Sequence, residues 1–540
     1  MQLDALIAGL PLRLVRGAGT LELSDLVDDS REAERGCAFI ARGGAGQRHI
    51  QDAISRGAAA VLADRPPSDD VPASVAWVQA DEPLGQPLAG RLAERYFHEP
   101  SRRLALVGVT GTNGKTTTAW LMRHLLAAAG HRCGLIGTVA VHETGDTGPP
   151  GPPPINTTPG AVMMSRLLAR MAERGCEAAA VEVSSHALEQ GRCDALRFAG
   201  AVFTNLTGDH LDYHGTMTAY AEAKARLFAL LGKDAAAVVN GEDAHAPAMR
   251  AAFVGGDEHV WSCAVAGGEA PATQATAGRD ARVTRPTDVA ASLAGQRCVA
   301  EIVALTATHS DVRFAGPWGA FDVRLPLVGR HNVANALQAA ATAHAVLKLD
   351  AAALQRGLAS APPVPGRLEA VAYLGPGREP SVLVDYAHTD DALDNVLAAL
   401  RPLVDGGARC GGGRLIVVFG CGGDRDRTKR PRMARVAARW ADRIIITSDN
   451  PRTEQPGQIV DEIVAGLGPD APAHEAIVDR AAAIAHAIAE AAPRDTVLIA
   501  GKGHEDYQIV GHARQHFDDR EHALAALQQR AATNPAEGVA

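Results

Sequence analysis

The sequence has 540 residues, of which 46% are hydrophobic and 21% charged, and its formal net charge is -9. A chain of this length folds into more than one globular domain, because single hydrophobic cores rarely grow beyond about 250–300 residues. The negative net charge argues against a protein that binds nucleic acid without sequence preference, since neutralising a phosphate backbone requires a surplus of Lys and Arg.

The eight cysteines are widely scattered and form no CxxC pair, which argues against both a zinc cluster and a disulfide framework. The amino terminus lacks a basic start before its short apolar run, and no stretch approaches the roughly 18 apolar residues of a membrane span. We therefore expect reduced thiols, a cytoplasmic location and no membrane span.

Composition divides the chain into three α/β units, at residues 1–100, 101–347 and 348–540. The first mixes short apolar runs with turn residues and ends in a helical pattern at Arg91–Phe97. In the other two, short apolar runs alternate with helical patterns, which is typical of parallel sheets covered by helices on both faces. The expected strands are Leu104–Val109, Ala178–Val183, Ala201–Phe203 and Ala235–Val239 in the second unit, and Val382–Val384, Leu415–Phe419, Arg443–Thr447 and Val497–Ala500 in the third.

Helices are expected between these strands, and two segments without an amphipathic period are expected to be loops or insertions. The helical patterns are Thr216–Leu231, Asn332–Leu347, Ala392–Leu403 and Met433–Ala441, and the two loops are Pro149–Pro154 and Val265–Gly278. The predicted fold class is α/β in three domains, with a central parallel sheet like that of P-loop ATPases and a Rossmann-like, doubly wound C-terminal domain.

The most informative motif is GVTGTNGKTT at residues 108–117, between a buried apolar run and a helical pattern. Glycines allow backbone N–H groups to converge on phosphate oxygens, Lys115 can meet the β- and γ-phosphate charge, and Thr116 can offer a hydroxyl to Mg²⁺. A strict P-loop would have glycine at position 109, where this chain has Val109. We interpret the segment as a nucleoside triphosphate site.

This loop resembles that of the Mur ligase family, and the resemblance extends over nearly the whole chain in the family's order. Matching motifs include NTTP at 156–159, EVSSHAL at 182–188, DHLDYH at 209–214, GRHNVAN at 329–335, DYAHT at 385–389, DNPR at 449–452 and GKGHEDY at 501–507. The match is to the branch that adds meso-2,6-diaminopimelate to UDP-N-acetylmuramoyl-L-alanyl-D-glutamate in peptidoglycan synthesis.

The resemblance implies a monomeric, ATP-dependent ligase that phosphorylates a substrate carboxylate and lets an amine attack the acyl phosphate. Positioning and electrostatic stabilisation can catalyse such a transfer without a protein nucleophile. ATP would be a substrate and Mg²⁺ a cofactor. The residues implied to bind ATP are Gly111, Thr112, Asn113, Gly114, Lys115, Thr116, Thr117, Asn332, Arg367 and Asp385.

Four residues are implied to be catalytic, namely Lys115, Glu182, His210 and Lys224, and the last three would hold Mg²⁺ together with Thr116. On their own, Glu182 could be a helix-capping acid, His210 a structural histidine and Lys224 a solvated helix lysine. In the family, a lysine in this position reacts with CO₂ to form N6-carboxylysine, and a carbamate presents anionic oxygens that Mg²⁺ can bind.

The UDP-linked acceptor is implied to contact hydroxyl groups, amides and an arginine, a set that suits phosphates and a carboxylate. These residues are Ser30, Asn156, Thr157, Thr158, Ser184, Gln190 and Arg192. The loop Arg42–Gly46 departs from the His-Gln pair that relatives often carry there, so the resemblance assigns no uridine contacts to this loop.

Selection of diaminopimelate is implied to depend on the third unit, through Arg425, Asp449, Asn450, Pro451, Arg452, Gly501 and Glu505. Arg452 can bind a carboxylate through two parallel hydrogen bonds, and diaminopimelate differs from lysine by one carboxylate. Glu505 would pair with a substrate ammonium, and His388 is a candidate proton acceptor. Asp390 replaces the family's usual proline and is expected to cap the following helix.

Alternative interpretations are a lysine-adding ligase, a folylpolyglutamate synthetase with the same phosphate loop, and a nucleotide-switch protein that forms no bond. The basic run Arg425–Arg432 could also be a solvated face or a nucleic-acid patch, although the overall charge is acidic. Arg452 argues against a lysine-adding ligase, and the acceptor motifs argue against a folylpolyglutamate synthetase.

Overall fold

Three large sheets follow one another along the chain. The computed structural model describes residues 1–144, 151, 156–208, 211–266, 294–306, 309–373, 379–406 and 412–533. The predicted α/β fold class is confirmed. Most of the two predicted loops lies outside the described residues, but Val265 and Ala266 end a strand instead of starting a loop.

The first sheet has five strands, parallel except for the pairing of its first strand. In sheet order the strands are Leu12–Arg16, Ala76–Ala80, Ala60–Ala63, Ala38–Ile40 and Leu26–Val27. The helices of this unit are Leu3–Ile7, Gly43–Arg48, Ile50–Ser55, Gln86–Tyr96 and the single turn Ser30–Glu32, and Pro100–Arg103 follows them.

The second sheet has ten strands, with a parallel centre and antiparallel strands at both ends. In sheet order they are Gly319–Leu325, Ser310–Gly316, Gln296–Leu305, Val260–Ala266, Leu231–Asn240, Phe198–Phe203, Ala105–Thr110, Ala178–Glu182, Cys133–Ile136 and Val141–His142. The antiparallel strands after residue 295 were not predicted, because their alternating pattern of buried and exposed residues differs from the continuous apolar runs of the centre.

Helices cover both faces of this sheet, as its apolar strands require. One face packs on Lys115–Ala128, Arg330–Leu347 and Ala351–Ala359, and the other packs on Ala161–Glu173, Met217–Ala229 and Ala246–Ala252. The short helices Ser185–Glu189, Leu211–His214 and Asp257–His259 lie in connections. The neighbours Thr110, Glu182 and Phe203 end parallel strands at the same edge, so the segments that follow them converge.

The third sheet has six strands, parallel except at one edge. In sheet order they are Glu369–Ala370, Ser381–Asp385, Thr496–Ala500, Leu415–Phe419, Arg443–Ile446 and Ala473–Ala476. Its helices are Asp390–Gly406, Lys429–Trp440, Pro456–Val464, Arg480–Glu490 and Asp519–Thr533, and a hairpin pairs Tyr507–Val510 with Ala513–His516. The hairpin was not predicted.

Packing suggests a different boundary between the second and third units from the one drawn at residue 347. Helix Ala351–Ala359 buries Leu354 and Leu358 in the core of the second sheet. Ala361 lies in the same core, whereas Leu368 packs in the core of the third sheet. We therefore propose that the boundary falls after Ala361, within the proline-rich linker.

The first unit is joined to the second through the helix Ala161–Glu173. Its first N–H, at Ala161, donates to Gln86 Oε1 at 2.8 Å, and Ser165 Oγ donates to the buried Glu94 Oε1 at 2.8 Å. Burial raises the pKa of Glu94, and hydrogen bonds from Ser101 and Ser165 oppose that shift. The contact therefore contains a desolvated carboxyl group with hydrogen-bond partners.

No helix among the described residues is long and apolar enough to cross a membrane. The seven cysteines within the described part of the chain are buried and form no disulfides.

Replacing Leu354 with alanine should test the proposed boundary. If its helix belongs to the central core, Leu354→Ala should lower the free energy of unfolding of that unit by about 2–5 kcal/mol, because the change leaves a cavity. Arg356→Ala, on the exposed side of the same helix, is the matched control. The measurement is urea denaturation of both variants and the wild type. A loss below about 1 kcal/mol for Leu354→Ala, comparable to the control, would contradict the packing assignment.

Candidate active site

The phosphate loop begins where strand Ala105–Thr110 ends. Gly111 has a φ of 149° and Gly114 a φ of 85°. A Cβ at Gly111 would lie 1.8 Å from Thr204 Oγ1, and a Cβ at Gly114 would lie 2.4 Å from Asn335 Oδ1. Both positions therefore need glycine, for backbone conformation and for space.

Hydrogen bonds within the protein hold the phosphate loop in shape. Lys115 Nζ donates to the carbonyl oxygens of Gly111 and Thr112, both at 2.8 Å. The N–H of Asn113 donates to Asn205 Oδ1 at 2.9 Å, and Asn205 Nδ2 donates back to the Asn113 carbonyl at 3.1 Å. Thr117, predicted to bind ATP, is buried in the first turn of the following helix.

Glu182 ends the strand next to the phosphate loop, and only 1% of it is exposed. Its Oε2 accepts hydrogen bonds from Thr116 Oγ1 at 2.9 Å and from Thr138 Oγ1 at 3.0 Å. Its Oε1 accepts from the Thr138 N–H at 2.9 Å. The structure thus brings together two of the predicted magnesium ligands, and it adds Thr138, which sequence reasoning missed.

The donor set fits a hard cation, because Thr116 and Glu182 present hydroxyl and carboxylate oxygens, which Mg²⁺ prefers. Within the described ranges, no group of three or more His, Cys, Asp or Glu could hold a metal ion. His210 lies outside the described residues. A magnesium site here therefore needs oxygen donors beyond these two, such as substrate phosphates, water or a modified Lys224.

Lys224 lies in helix Met217–Ala229, and only 1% of it is exposed, so the alternative of a solvated surface lysine is wrong. Its Nζ lies 4.3 Å from the centroid of the Tyr220 ring. The Tyr220 hydroxyl shares a hydrogen bond with Thr112 Oγ1 at 3.2 Å. The helix therefore directs this lysine into the interior, and Tyr220 links its surroundings to the phosphate loop.

The predicted acceptor residues of the central unit form one hydrogen-bonded group. Thr158 Oγ1 donates to the Glu182 carbonyl at 2.8 Å and accepts from the Ser184 N–H at 2.9 Å. Arg192 NH1 donates to the Thr158 carbonyl at 2.7 Å, while its Nε and NH2 donate to Gln190 Oε1 at 3.0 and 2.7 Å. This group is continuous with the Glu182 strand.

The remaining acceptor residues lie around this group. Thr157 Oγ1 is 3.1 Å from Thr138 Oγ1, and Asn156 is exposed. Ser30 is buried in the first unit, where its hydroxyl and Arg56 lower the pKa of Asp52. The structure therefore connects Thr157 with the Glu182 centre and places Ser30 in a separate contact.

A cavity of about 380 Å³ lies between the first and second units, lined by Arg42, Gly43 and Gln190 among others. Arg42, which belongs to the divergent loop, donates from Nε to Asp28 Oδ2 at 2.8 Å. The loop thus faces the same space as one of the predicted acceptor residues.

The third unit reaches the phosphate loop at two points. Arg367 NH2 donates to Thr116 Oγ1 at 3.2 Å, and its guanidinium carbon lies 4.9 Å from the centroid of the Tyr386 ring. Asp391 Oδ2 accepts from Asn113 Nδ2 at 3.0 Å. Sequence reasoning predicted Arg367 but missed Asp391.

Asp385 and Asn332, both predicted to bind ATP, are buried. Asp385 Oδ2 accepts from the Leu368 N–H at 2.7 Å, and burial raises the pKa of the Asp385 carboxyl group. Asn332 Nδ2 donates to the Val328 carbonyl at 2.8 Å, and Asn332 Oδ1 is 3.5 Å from Nδ2 of Asn335, which lies against Gly114.

The segment Asp449–Arg452, which we call the amino-acid loop, follows strand Arg443–Ile446 at the carboxyl edge of the third sheet. Asn450 Nδ2 donates to Glu505 Oε2 at 2.9 Å, and burial raises the pKa of Glu505. Although burial opposes the shift, Lys502 and Arg480 lower the pKa of Asp449. The predicted amino-acid site therefore contains two carboxyl groups.

Arg452 is held in an uncommon conformation, with a φ of 51°. Its N–H donates to the Ile509 carbonyl at 3.0 Å, its carbonyl accepts from the Gly511 N–H at 2.7 Å, and its NH1 donates to the Gly423 carbonyl at 2.8 Å. The unpredicted hairpin therefore fixes the backbone of this predicted specificity residue.

The other predicted amino-acid residues surround this loop. Pro451 is buried, Gly501 has a φ of 118°, and its N–H donates to the Asp385 carbonyl at 3.0 Å. Arg425 is exposed on the neighbouring segment.

Two sequence interpretations of the third unit need correction. The basic run Arg425–Arg432 is not simply a solvated face, because Arg430 is fully buried and pairs with Glu454 at 2.9 Å and Glu462 at 2.7 Å. Asp390 does not cap its helix, since Thr389 Oγ1 accepts the hydrogen bond from the Ala392 N–H at 3.1 Å. A threonine is itself a good cap and precedes the helix, whereas Asp390 begins it.

His388 was a candidate proton acceptor. Its Nδ1 shares a hydrogen bond with the Tyr386 carbonyl at 2.9 Å, and its ring centroid lies 4.6 Å from that of Tyr386. The Tyr386 ring thus contacts both His388 and Arg367.

Comparison with known proteins agrees with this architecture. The Mur ligase middle domain matches residues 109–343, and the domain described as "Mur ligase, glutamate ligase domain" matches residues 366–503. The chain is 43% identical to "UDP-N-acetylmuramoyl-L-alanyl-D-glutamate--2,6-diaminopimelate ligase" of Parasynechococcus marenigrum, with 98% of this chain and 99% of that protein covered. It is 44% identical to the protein of the same name from Synechococcus sp., with 97% and 98% covered.

A solved structure with the same description has a TM-score of 0.62 and 32% identity, with 98% of this chain and 99% of that chain covered. The phosphate loop, the buried Glu182 beside it and the amino-acid loop of the third sheet thus occur in a chain that aligns with these ligases over nearly its full length. The chain therefore belongs to the Mur ligase family of ATP-dependent ligases.

Proposed function

We propose that the chain joins meso-2,6-diaminopimelate to UDP-N-acetylmuramoyl-L-alanyl-D-glutamate in an ATP-dependent step of peptidoglycan precursor synthesis. The observation that carries this proposal is the composition of the amino-acid loop. Its Arg452 guanidinium donates to the Gly423 carbonyl, its Asp449 carboxyl group lies in the same four-residue segment, and its Asn450 side chain donates to the carboxyl group of Glu505. An amino acid with two carboxylates and two ammonium groups needs both kinds of partner. The similar ligases from two organisms bear this substrate in their names.

The proposed reaction has two steps. A carboxylate oxygen of the acceptor attacks the γ-phosphorus of ATP, and ADP leaves. The substrate amine then attacks the carbonyl carbon of the acyl phosphate, phosphate leaves with the electron pair of the broken C–O bond, and the amine loses a proton. The acceptor residues Thr158, Ser184 and Arg192 would place the carboxylate beside the phosphate loop.

Lys115 and the backbone N–H groups of the phosphate loop would stabilise the transferring phosphoryl group. Thr116, Glu182 and carbamylated Lys224 would hold Mg²⁺, together with His210. When bound, Mg²⁺ would neutralise charge on the phosphate oxygens. Arg367, Asp385 and Asn332 would contact ATP from the third unit and the helix Arg330–Leu347.

The amino-acid loop would bind diaminopimelate, the amine substrate of the second step. Arg452 would bind the distal carboxylate, and Glu505 would bind an ammonium group, with further contacts from Arg425, Asn450 and Gly501. The Asp449 carboxylate pairs with the Lys502 ammonium, whose Nζ lies 3.3 Å from Oδ1.

A lysine-adding ligase is the second candidate, because most of the site would serve either amino acid. The location of Arg452 in the amino-acid loop favours diaminopimelate, since lysine has no distal carboxylate. A nucleotide switch would use the phosphate loop without needing the acceptor group or the amino-acid loop.

Phosphate release, measured over a panel of UDP-muramoyl acceptors and amino acids, separates these candidates. We expect release to require both the L-alanyl-D-glutamate acceptor and diaminopimelate. Equal release with lysine would favour the second candidate, and release without acceptor and amino acid would indicate a switch or simple ATPase.

Lys115→Ala should nearly abolish ligation while leaving the fold intact. The phosphoryl group would lose its main protein cation in the transition state, which we expect to cost about 3–4 kcal/mol or more. Steady-state kinetics and circular dichroism check the two parts. The control is Lys233→Ala, because Lys233 is exposed in a central strand. Near-native turnover by Lys115→Ala would remove Lys115 from the mechanism.

Lys224→Ala should also inactivate the enzyme, since it removes the proposed carbamate, and short carboxylic acids should partly restore activity by supplying an anion. Lys224→Arg should stay inactive, because a guanidinium keeps the positive charge and cannot form the carbamate. Native mass spectrometry of active wild type should show the added mass of one CO₂. An unmodified lysine in fully active enzyme would contradict the carbamate.

Arg452→Ala should lower kcat/KM for diaminopimelate by a factor that corresponds to roughly 2–5 kcal/mol of activation free energy. Most of this loss arises because the distal carboxylate loses its partner. Alanine has a Cβ, as arginine does, so both bear the same cost at a positive φ. Activity with lysine should fall much less, and Arg452→Lys should restore only part of the loss. The measurement is kcat/KM for both amino acids at saturating ATP and acceptor. Equal losses would mean that Arg452 supports the loop instead of reading the substrate.

A further inference from the structure

Lys502 is a fully buried lysine in the third unit that the proposed reaction does not use. Its Nζ donates to Asn450 Oδ1 at 3.0 Å and to the Tyr507 carbonyl at 2.7 Å. It lies 3.3 Å from Asp449 Oδ1 and 4.0 Å from Glu505 Oε2. One ammonium group thus contacts both ends of the predicted amino-acid site and the hairpin behind it.

The contacts of Lys502 determine how the Asn450 amide is oriented. Asn450 Oδ1 also accepts a hydrogen bond from the Ile509 N–H at 2.9 Å. An ammonium and a backbone N–H can only donate, so the atom between them must be the amide oxygen. The Asn450 NH₂ group is then left to face Glu505 Oε2, at 2.9 Å. In a reversed amide, the NH₂ group would face the Lys502 ammonium and the Ile509 N–H, which are both donors. The amide oxygen would then face the Glu505 carboxyl oxygen.

The two carboxyl groups next to Lys502 carry more negative charge than this one ammonium can neutralise. Asp449 and Glu505 are both acidic, and the Lys502 ammonium lies within 4.0 Å of a carboxyl oxygen of each. The other nearby cation, Arg480, is fully buried in a pair with Asp519 at 2.7 Å. Lys502 therefore offsets one of the two carboxylates, and a substrate ammonium can offset the other.

Lys502 also acts on Arg452 through the hairpin. The residue whose carbonyl Lys502 binds, Tyr507, starts the strand Tyr507–Val510, and Ile509 in that strand accepts the hydrogen bond from the Arg452 N–H. The Lys502 ammonium thus contacts the carboxyl groups of Asp449 and Glu505 directly, and it contacts the strand that binds the Arg452 backbone. Because none of Lys502 is exposed, it cannot contact the substrate itself.

We propose that Lys502 is a positioning residue for the amino-acid substrate, which fixes the Asn450 amide and Glu505 in the orientation that receives the substrate ammonium. This inference rests on the proposed use of the amino-acid loop. Lys502 acts indirectly, by holding Asn450 and Glu505 in the geometry that substrate binding needs.

The test compares Lys502→Met, which keeps all but the last atom of the unbranched side chain and removes the charge and all donors, with Lys502→Gln, which keeps a donor. We expect KM for diaminopimelate to rise about 10- to 100-fold in Lys502→Met, because buried partners lose their hydrogen bonds. Lys502→Gln should show a smaller rise. KM for ATP and for the UDP-linked acceptor should stay within about twofold of wild type, since neither contacts this network.

The matched control is Arg443→Met, which also removes a cation paired with two carboxylates of the third unit. Arg443 pairs with Glu490 at 2.9 Å and Glu475 at 2.8 Å, and it begins a strand, so it lies at the opposite edge from the amino-acid loop. Thermal unfolding of all variants reports the loss of stability. The control should lose stability while retaining the wild-type KM for diaminopimelate.

A lower kcat with an unchanged KM for diaminopimelate, in both Lys502 variants, would overturn the proposal and leave Lys502 a purely structural residue. If Lys502→Met does not fold, Lys502→Gln decides the question by the same comparison of KM values. Wild-type turnover with diaminopimelate is measured first. If wild type adds a different amino acid, the proposed substrate fails, and KM for that amino acid then tests Lys502 separately.

Discussion

The hydrogen bonds from Thr116 and Thr138 to the buried Glu182 carboxylate are the contact on which the active site depends. They join three connections at one edge of the central sheet, namely the phosphate loop, the turn after Cys133–Ile136 and the end of strand Ala178–Glu182. A buried carboxylate is costly unless its oxygens are satisfied, so these partners are required. The acceptor group begins at the next residues, because Thr158 binds the backbone carbonyl of Glu182 itself.

The three units contribute different chemistry to this centre. The second supplies the phosphate loop and the oxygen donors, and the third places Arg367 against Thr116 and Asp391 against Asn113. The first lines the cavity that contains Gln190. The residues that would meet ATP therefore come from two units, and their arrangement depends on how those units pack.

Much of this could be predicted from sequence, because apolar parallel strands and a glycine-rich loop have strong local signals. The strand Leu415–Phe419 was predicted with its observed bounds, and the Thr116–Glu182 contact follows from two motifs at neighbouring strand ends. The hairpin at 507–516 and the role of Lys502 could not be predicted, since they depend on long-range pairing and on which way one side chain points. Lys224 shows the same limit, because a helical pattern alone does not reveal its burial.

The left-handed backbone of Arg452 has a consequence for the evolution and engineering of specificity. A conformation of this kind costs on the order of 1–3 kcal/mol and persists only where its surroundings enforce it, here through Ile509 and Gly511. The four residues of the amino-acid loop are thus only half of a unit whose other half lies more than 50 positions later in the chain. A graft of the loop alone into a relative with another hairpin would lack the two backbone hydrogen bonds that hold Arg452 in this conformation, so a graft of this loop needs both segments.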